Sequence, residues 1–100
     1  MSLAQYDELT GCLNFRWTME LLEKELFRCF RYHKTLTLML IDLDHFKNIN
    51  DTHGHLIGNK VLQLFAGTLA KNLRTVDIVG RYSGEEFLVA CRNQPRKKRP

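Results

Sequence analysis

The chain has 100 residues, of which 44% are hydrophobic, and a formal net charge of +4. This length allows one compact domain that buries roughly 65% of the surface of the unfolded chain. No apolar run approaches the ~20 residues that span a bilayer, and the N-terminus MSLAQYDELTG lacks a signal-peptide pattern. These observations argue against a membrane-spanning or secreted protein. We expect a cytoplasmic domain without a membrane segment, whose parent protein could be anchored through a preceding part.

The first predicted elements are a helix and a strand. Asn14 can cap a helix that ends near His33, and apolar residues recur in it at helical spacing. These apolar residues are Trp17, Leu21, Leu22, Leu26 and Phe30. The following segment, Thr35–Ile41 (TLTLMLI), is short, apolar and rich in β-branched residues, which predicts a buried strand.

A second helix and a hairpin follow. The helix is predicted from about Gly58 to Leu73, and its core-facing residues are Val61, Leu62, Phe65, Leu69 and Leu73. DIVGRY and EEFLVAC are then predicted to form a hairpin joined at Ser83-Gly84. The order helix, strand, helix, strand, strand predicts an α/β fold in which helices lie on a sheet with an antiparallel part.

The end of the chain differs in composition from the rest. Arg92–Pro100 (RNQPRKKRP) holds five of the fifteen basic residues and no acid, so ten basic residues face eleven acids in the remainder. We expect a partial domain over residues 1–91 and a disordered basic tail over residues 92–100. Such a tail can alternatively bind phosphate backbones non-specifically, although no specific nucleic-acid partner is expected.

Three cysteines are scattered along the chain. Cys12, Cys29 and Cys91 are odd in number and have no metal-ligand spacing. They predict free thiols in a reducing compartment.

Carboxylates lie where the first strand ends and where the hairpin turns. Asp42 and Asp44 follow the strand and could contribute to a Mg²⁺ site, since this ion takes one or two protein carboxylates and completes its shell with phosphates and water. They could equally be solvated residues that begin a loop or cap a helix. Glu85 and Glu86 follow the turn, and one of them would share the face of Asp42 if the hairpin pairs beside the first strand. A charged, solvent-exposed turn is the alternative.

The segment Phe46–Asn59 (FKNINDTHGHLIGN) is rich in polar residues between the strand and the second helix. The amides of Asn50 and Asn59 can offer both a donor and an acceptor to a base edge. Ordinary turn and cap chemistry is the alternative, because the same residue types favour it. His53 and His55, separated by one glycine, are a weak metal signal and are expected to be structural or exposed.

Three stretches together resemble one known family. DELTGCLNFR, LTLMLIDLDHFKNINDTHGHLIGNKVL and LRTVDIVGRYSGEEFLVA are similar, in this order, to the GGDEF family of diguanylate cyclases. The resemblance implies a palm-like sheet of the ferredoxin and adenylyl cyclase type, with the signature motif on the hairpin. It also implies condensation of two GTP into cyclic di-GMP and pyrophosphate, with Mg²⁺ or Mn²⁺, across a homodimer.

The resemblance implies roles for particular residues. The metal would be bound by Asp42, the Leu43 carbonyl and Glu85, while Glu85 and Glu86 would be the catalytic acids. Substrate contacts are implied for Phe46, Lys47, Asn50, Asn59 and Gly84, with Asn50 reading guanine and the main-chain amides of residues 45–47 meeting phosphates.

Arg74 and Asp77 match the RxxD inhibitory site at which some family members bind cyclic di-GMP. An ion pair at a helix end explains these two residues equally well.

The chain departs from the family pattern at four places, at one of which Phe15 replaces the first arginine of the usual NRR stretch. Ser83 replaces the first glycine of the motif, which predicts a strained backbone if that position needs a positive φ. Asn59 stands where the family usually has a guanine-binding aspartate, and an amide accepts at one atom only. The family continues beyond the hairpin, so the domain is expected to be truncated at its C-terminus and weakly active or inactive. A non-catalytic module that binds cyclic di-GMP or GTP is the alternative.

Overall fold

A computed structural model describes residues 4–92 of the chain. In this range the elements are α1 (Phe15–Tyr32), β1 (Leu36–Asp42), α2 (Phe46–His53), α3 (His55–Lys71), β2 (Ile78–Arg81) and β3 (Glu86–Arg92). The strands form an antiparallel sheet in the order β1-β3-β2. The predicted α/β fold and the β2–β3 hairpin are thus confirmed.

Helix α1 begins and ends where the sequence predicts. The Asn14 side chain caps it by accepting a hydrogen bond from the Trp17 amide at 2.9 Å, and His33 ends it in the left-handed region with φ 53°. The helix packs against β2, and its buried residues are Thr18, Glu25 and Cys29. Two residues of the apolar stripe of this helix, Leu26 and Phe30, are 46% and 85% exposed. The apolar stripe of α1 is wider than the part of the sheet that lies behind it.

Strand β1 lies at an edge of the sheet. It pairs with β3 from Leu36 opposite Arg92 to Asp42 opposite Glu86, and it has no second partner strand within residues 4–92. The prediction of a buried strand is wrong, because Leu38, Met39 and Leu40 are 41–55% exposed. A short apolar run is consistent with a strand but does not reveal whether other elements cover its two faces.

The polar segment after β1 forms a helix that the sequence analysis did not predict. Residues 46–53 are helix α2, and α3 starts at His55 rather than near Gly58. Gly54 separates the two helices with φ 87°, a conformation that glycine adopts without a steric penalty. Because asparagine, aspartate and histidine favour helices weakly, composition did not reveal α2, which packs against α3.

Two clusters of buried residues hold the helices on the sheet. Cys12, Leu62, Ala66 and Phe87 form the first, and Ile78, Leu88 and Ala90 form the second. The predicted inner face of α3 is confirmed, with Leu62 buried and its other members partly buried. Phe87, in the central strand, is fully buried and contacts the ring of Phe65 at a centroid distance of 5.2 Å.

The sequence also led to predictions about the C-terminal tail, the cysteines and membrane-spanning segments. Arg92 belongs to β3, and the rest of the predicted basic tail lies outside the described residues. All three cysteines are free, and burial raises the pKa of the Cys12 thiol above its ordinary value. In the part of the chain that the structure describes, no helix is long and apolar enough to cross a membrane.

Candidate active site

The signature turn between β2 and β3 is closed by backbone and side-chain hydrogen bonds. The amides of Tyr82 and Ser83 donate to the Glu86 carbonyl at 2.8 and 3.2 Å, and the Ser83 hydroxyl donates to Glu86 Oε1 at 2.5 Å. Ser83 does not have a positive φ, so the expected backbone strain at this position is absent. The serine is compatible with the turn as it stands.

Arg81 braces this turn against the N-terminal segment, and sequence reasoning did not single it out. Its guanidinium donates to the Gly84 carbonyl at 2.8 and 3.2 Å and to both carboxylate oxygens of Asp7 at 3.1 and 3.2 Å. Asp7 also accepts from the amide and hydroxyl of Thr10 at 2.9 and 2.8 Å. The charge of Arg81, two residues before the motif, was the signal that could have identified it.

The surroundings of Asp7 favour its ionised form. Burial on its own raises the pKa of this carboxyl group, but the Thr10 hydrogen bonds and the positive charge of Arg81 outweigh burial. The pKa of Asp7 is therefore lower than its ordinary value of 3.8.

The sheet brings the predicted acids to one end of the β1–β3 pair. Asp42 lies directly opposite Glu86 in the register, and the Leu43 amide donates to the Glu85 carbonyl at 3.2 Å. Directly opposite residues of an antiparallel pair have their side chains on the same face, about 5 Å apart at Cβ. Glu86 is thus the cross-strand neighbour of Asp42, while Glu85 precedes the strand. Asp44 lies exposed in the turn after β1.

The metal ligands that the family resemblance implies are chemically suited to a divalent cation that completes its coordination with ligand oxygens. Carboxylate and carbonyl oxygens from Asp42, Leu43 and Glu85 are the hard donors that Mg²⁺ and Mn²⁺ prefer. Within residues 4–92, no group of three or more His, Cys, Asp or Glu side chains converges as a metal cage. A cation held here would therefore need further ligands from a bound phosphate or from water, as is usual for Mg²⁺.

A cavity of about 250 Å³ joins the turn to α2 and α3. It is lined by Phe46, Asn50, His55, Asn59, Leu62, Arg81, Gly84 and Glu85. Five of these residues were predicted as site residues, and three others, His55, Leu62 and Arg81, were not. His55 was expected to be structural or exposed, and it is an exposed residue that lines the cavity.

Asn50 is held against α3 by the absence of a side chain at Gly58. A Cβ atom on Gly58 would lie 1.7 Å from Asn50 Oδ1 and 3.3 Å from the Phe46 ring. Asn50 Oδ1 is buried and has no hydrogen-bond partner within the described residues. Such atoms are rare in native proteins, and this one lies against Gly58 in a residue that also lines the cavity.

The N-terminus of α2 lies beside this cavity. His45 precedes the helix with φ 60°, and no side chain caps the free amides of the first turn. Lys47 is exposed in that turn and does not line the cavity. The arrangement leaves backbone donors and one positive charge where phosphate groups could lie.

Arg74 and Asp77 bind each other after the end of α3. Arg74 Nη2 lies 3.1 Å from Asp77 Oδ1, and the Arg74 amide donates to Asp77 Oδ2 at 2.8 Å. Arg74 also donates to the Arg92 carbonyl at 2.6 Å. Both residues line a groove of about 640 Å³ that is separate from the cavity at the turn. The ion pair exists, and within it the Arg74 side chain is 43% exposed whereas that of Asp77 is only 2% exposed.

Residues 4–99 match the family described as diguanylate cyclase, GGDEF domain. The chain belongs to this family. It is 49% identical over 83 residues to diguanylate cyclase DgcP of Pseudomonas aeruginosa and 45% identical over 89 residues to the response regulator PleD of Caulobacter vibrioides. These matches cover 83% and 89% of the chain but only 12% and 20% of the relatives.

A solved GGDEF domain has the same fold. The domain of DgcB from Caulobacter crescentus, in complex with c-di-GMP, superimposes with a TM-score of 0.89 at 28% identity. The match covers 95% of this chain and 56% of that one. The chain therefore spans little more than half of a solved GGDEF domain, consistent with the incomplete fold that the sequence predicts.

Proposed function

We propose that this chain carries a nucleotide site of the diguanylate cyclase type, which binds GTP with Mg²⁺ or Mn²⁺ for condensation into cyclic di-GMP. The observation that carries the proposal is the cavity that brings Asn50, Asn59 and Phe46 together with Gly84 and Glu85. Amide groups suited to a purine edge thus lie in one cavity with a carboxylate, that of Glu85, suited to a cation.

The base would enter between α2 and α3. Asn50 lines the cavity, and its side-chain amide can offer a donor and an acceptor to the edge of guanine. Asn59 lies on the same wall and can pair with a second polar atom of the base. The ring of Phe46 supplies an apolar surface.

The phosphates would lie along the turn and the start of α2. A Cβ on Gly84 would meet nothing within 4 Å, and this glycine has no positive φ. The chain itself therefore does not require glycine here, whereas the close approach of a phosphate group would. The uncapped amides of residues 45–47 supply donors, and exposed Lys47 adds charge.

The acids would hold the cation and move the proton. Asp42, the Leu43 carbonyl and Glu85 would hold a divalent cation, which supplies charge neutralisation at the phosphates and lowers the pKa of the attacking 3′-hydroxyl. Glu85 lines the cavity and is the candidate to accept the hydroxyl proton. Glu86 accepts a hydrogen bond from Ser83 and would act as a further acid beside Asp42 and Glu85.

A homodimer follows from the number of substrates. The described part of the chain offers one cavity of this kind, whereas the reaction joins two GTP molecules. Two chains would therefore face each other, so that each 3′-hydroxyl attacks the α-phosphate held by the partner. The chain covers only part of its relatives, and by itself it is expected to be weakly active or inactive.

The reaction is tested by incubating folded chain with GTP and Mg²⁺ and separating the products by chromatography. An active full-length relative serves as the control. A cyclic di-GMP peak that Glu85→Gln removes supports the enzymatic function. No product from a folded sample, with the relative active alongside, contradicts enzymatic activity of this chain.

A second candidate function is binding of cyclic di-GMP without catalysis. The groove of about 640 Å³ with Arg74 and Asp77 on its wall favours it, since a guanidinium group can bind phosphate or stack on a base. Titration with cyclic di-GMP is expected to give binding that Arg74→Ala weakens. Absence of binding, or equal binding by the variant, removes this candidate.

A further inference from the structure

The hydroxyl of Ser83 has a partner that a glycine at this position cannot have. Its oxygen lies 2.5 Å from Glu86 Oε1, in the range of hydrogen bonds to ionised carboxylates. The backbone of the turn is closed independently, by the amides of Tyr82 and Ser83 on the Glu86 carbonyl. The side-chain bond therefore acts on the carboxylate of Glu86 rather than on the path of the chain.

The backbone does not dictate the residue type at position 83. Its φ lies outside the left-handed region, and Ser83 is exposed. A glycine, an alanine or a serine can thus adopt the same turn. Of the three, serine alone carries a hydroxyl group.

The carboxylate that Ser83 holds lies across the strand pair from a second carboxylate. Asp42 and Glu86 are directly opposite in the register, so their charges repel when both are ionised. A free glutamate side chain would turn away from Asp42 and towards solvent. The bond from Ser83 fixes Oε1 and leaves Oε2 as the oxygen that can contact a cation or its water shell.

We propose that Ser83 is a positioning residue that orients Glu86 for the divalent cation of the nucleotide site. This inference rests on the proposed function, because that function places the cation beside Asp42 and Glu85. Serine at the first position of the motif would then replace glycine without loss of cation binding. Ser83 orders the Glu86 side chain before the cation binds, so that less side-chain conformational entropy is lost on binding.

The test compares Mn²⁺ affinity among variants at position 83, measured by electron paramagnetic resonance of free Mn²⁺ with and without GTP. Ser83→Ala and Ser83→Gly are expected to bind Mn²⁺ roughly tenfold more weakly than the unaltered chain, the loss typical of one hydrogen bond to a charged group. Ser83→Thr keeps a hydroxyl and is expected to restore affinity. Thr68→Ala removes a hydroxyl that donates within α3 and is the matched control.

A double-mutant cycle shows whether Ser83 acts through Glu86. In a Glu86→Gln background, Ser83→Ala is expected to cost little further Mn²⁺ affinity, whereas additive losses contradict the positioning role. Circular dichroism shows that each variant is folded.

Two further outcomes separate this inference from the proposed function. Equal Mn²⁺ affinity of the unaltered and Ser83→Ala chains, with GTP binding retained, overturns the positioning role alone. Absence of both Mn²⁺ and GTP binding in the folded unaltered chain contradicts the proposed function as well.

Discussion

Gly58 and Gly67 lie in the same helix, and their surroundings differ in a way that identifies the site. A Cβ on Gly58 would lie 1.7 Å from Asn50 Oδ1, whereas a Cβ on Gly67 would meet nothing within 4 Å. Gly58 therefore makes room for a side chain of the cavity wall. Gly67 only lowers the helix propensity of α3.

This contrast predicts opposite effects of one substitution. Gly58→Ala is expected to displace Asn50 and to lower both GTP affinity and the free energy of unfolding, the latter by about 1–3 kcal/mol. Gly67→Ala, the matched control, is expected to raise the free energy of unfolding by about 0.5–1 kcal/mol. Urea denaturation and GTP titration measure the two effects. A Gly58→Ala chain that is as stable and binds GTP as well as the control would contradict the packing of Asn50 on α3.

The brace between Asp7 and Arg81 predicts a pH dependence of stability. The folded-state pKa of Asp7 is lower than its ordinary value of 3.8, so its contribution is present above that value and is lost as the pH falls through the folded-state pKa. Asp7→Asn is expected to cost about 1–2 kcal/mol at pH 7 and to weaken the acid dependence below pH 3.8.

The control for this prediction is Asp51→Asn, which changes an exposed acid on α2. Thermal unfolding from pH 7 to pH 2.5 gives the comparison. If Asp7→Asn and the unaltered chain lose stability in parallel below pH 3.8, the brace does not stabilise the fold as described.

At the scale of elements, the sequence predicts what depends on local pattern and misses what depends on neighbours. The Asn14 cap and the 3.6-residue period give α1, and two short runs joined at Ser83-Gly84 give the hairpin. Helix α2 was missed because its residues favour turns in isolation and the helix is held by packing against α3. The exposure of β1 was missed because an apolar run has the same composition at an edge and at the centre of a sheet.

The exposed edge of β1 predicts self-association. Leu40 is 55% exposed on a strand that, within residues 4–92, pairs on one side only, and such edges template further pairing. Leu40→Lys is expected to reduce concentration-dependent association in sedimentation velocity without loss of fold. Leu64→Lys, at a 73% exposed leucine of α3, is the control. Equal association of both variants and the unaltered chain would exclude the edge as its cause.

At the scale of the molecule, the candidate site is assembled from parts distant in sequence. Asp7 near the N-terminus, Asn50 in α2 and Glu85 in the hairpin turn meet at one end of the sheet. Sequence motifs nominated Asn50, Asn59 and Glu85 through the family resemblance. The roles of Arg81 and Gly58 emerge only when the chain is folded, because their partners are other elements.

The separate groove near Arg74 and Asp77 likewise could not be predicted from the sequence alone. The motif identified the two residues, and the ion-pair interpretation agrees with their 3.1 Å contact. Their groove is lined by residues of α1, α3 and the following loop, which local spacing does not reveal.

The most direct test of the nucleotide site is calorimetric titration of the folded chain with GTP and Mg²⁺. The unaltered chain is expected to bind GTP, and Asn50→Ala is expected to weaken binding at least roughly tenfold, since the amide contact to the base is lost. Asn48→Ala changes an exposed amide of the same helix that does not line the cavity, and its affinity is expected to be unchanged. No binding by the folded chain, or equal affinity of Asn50→Ala and Asn48→Ala, would contradict a GTP site in this cavity.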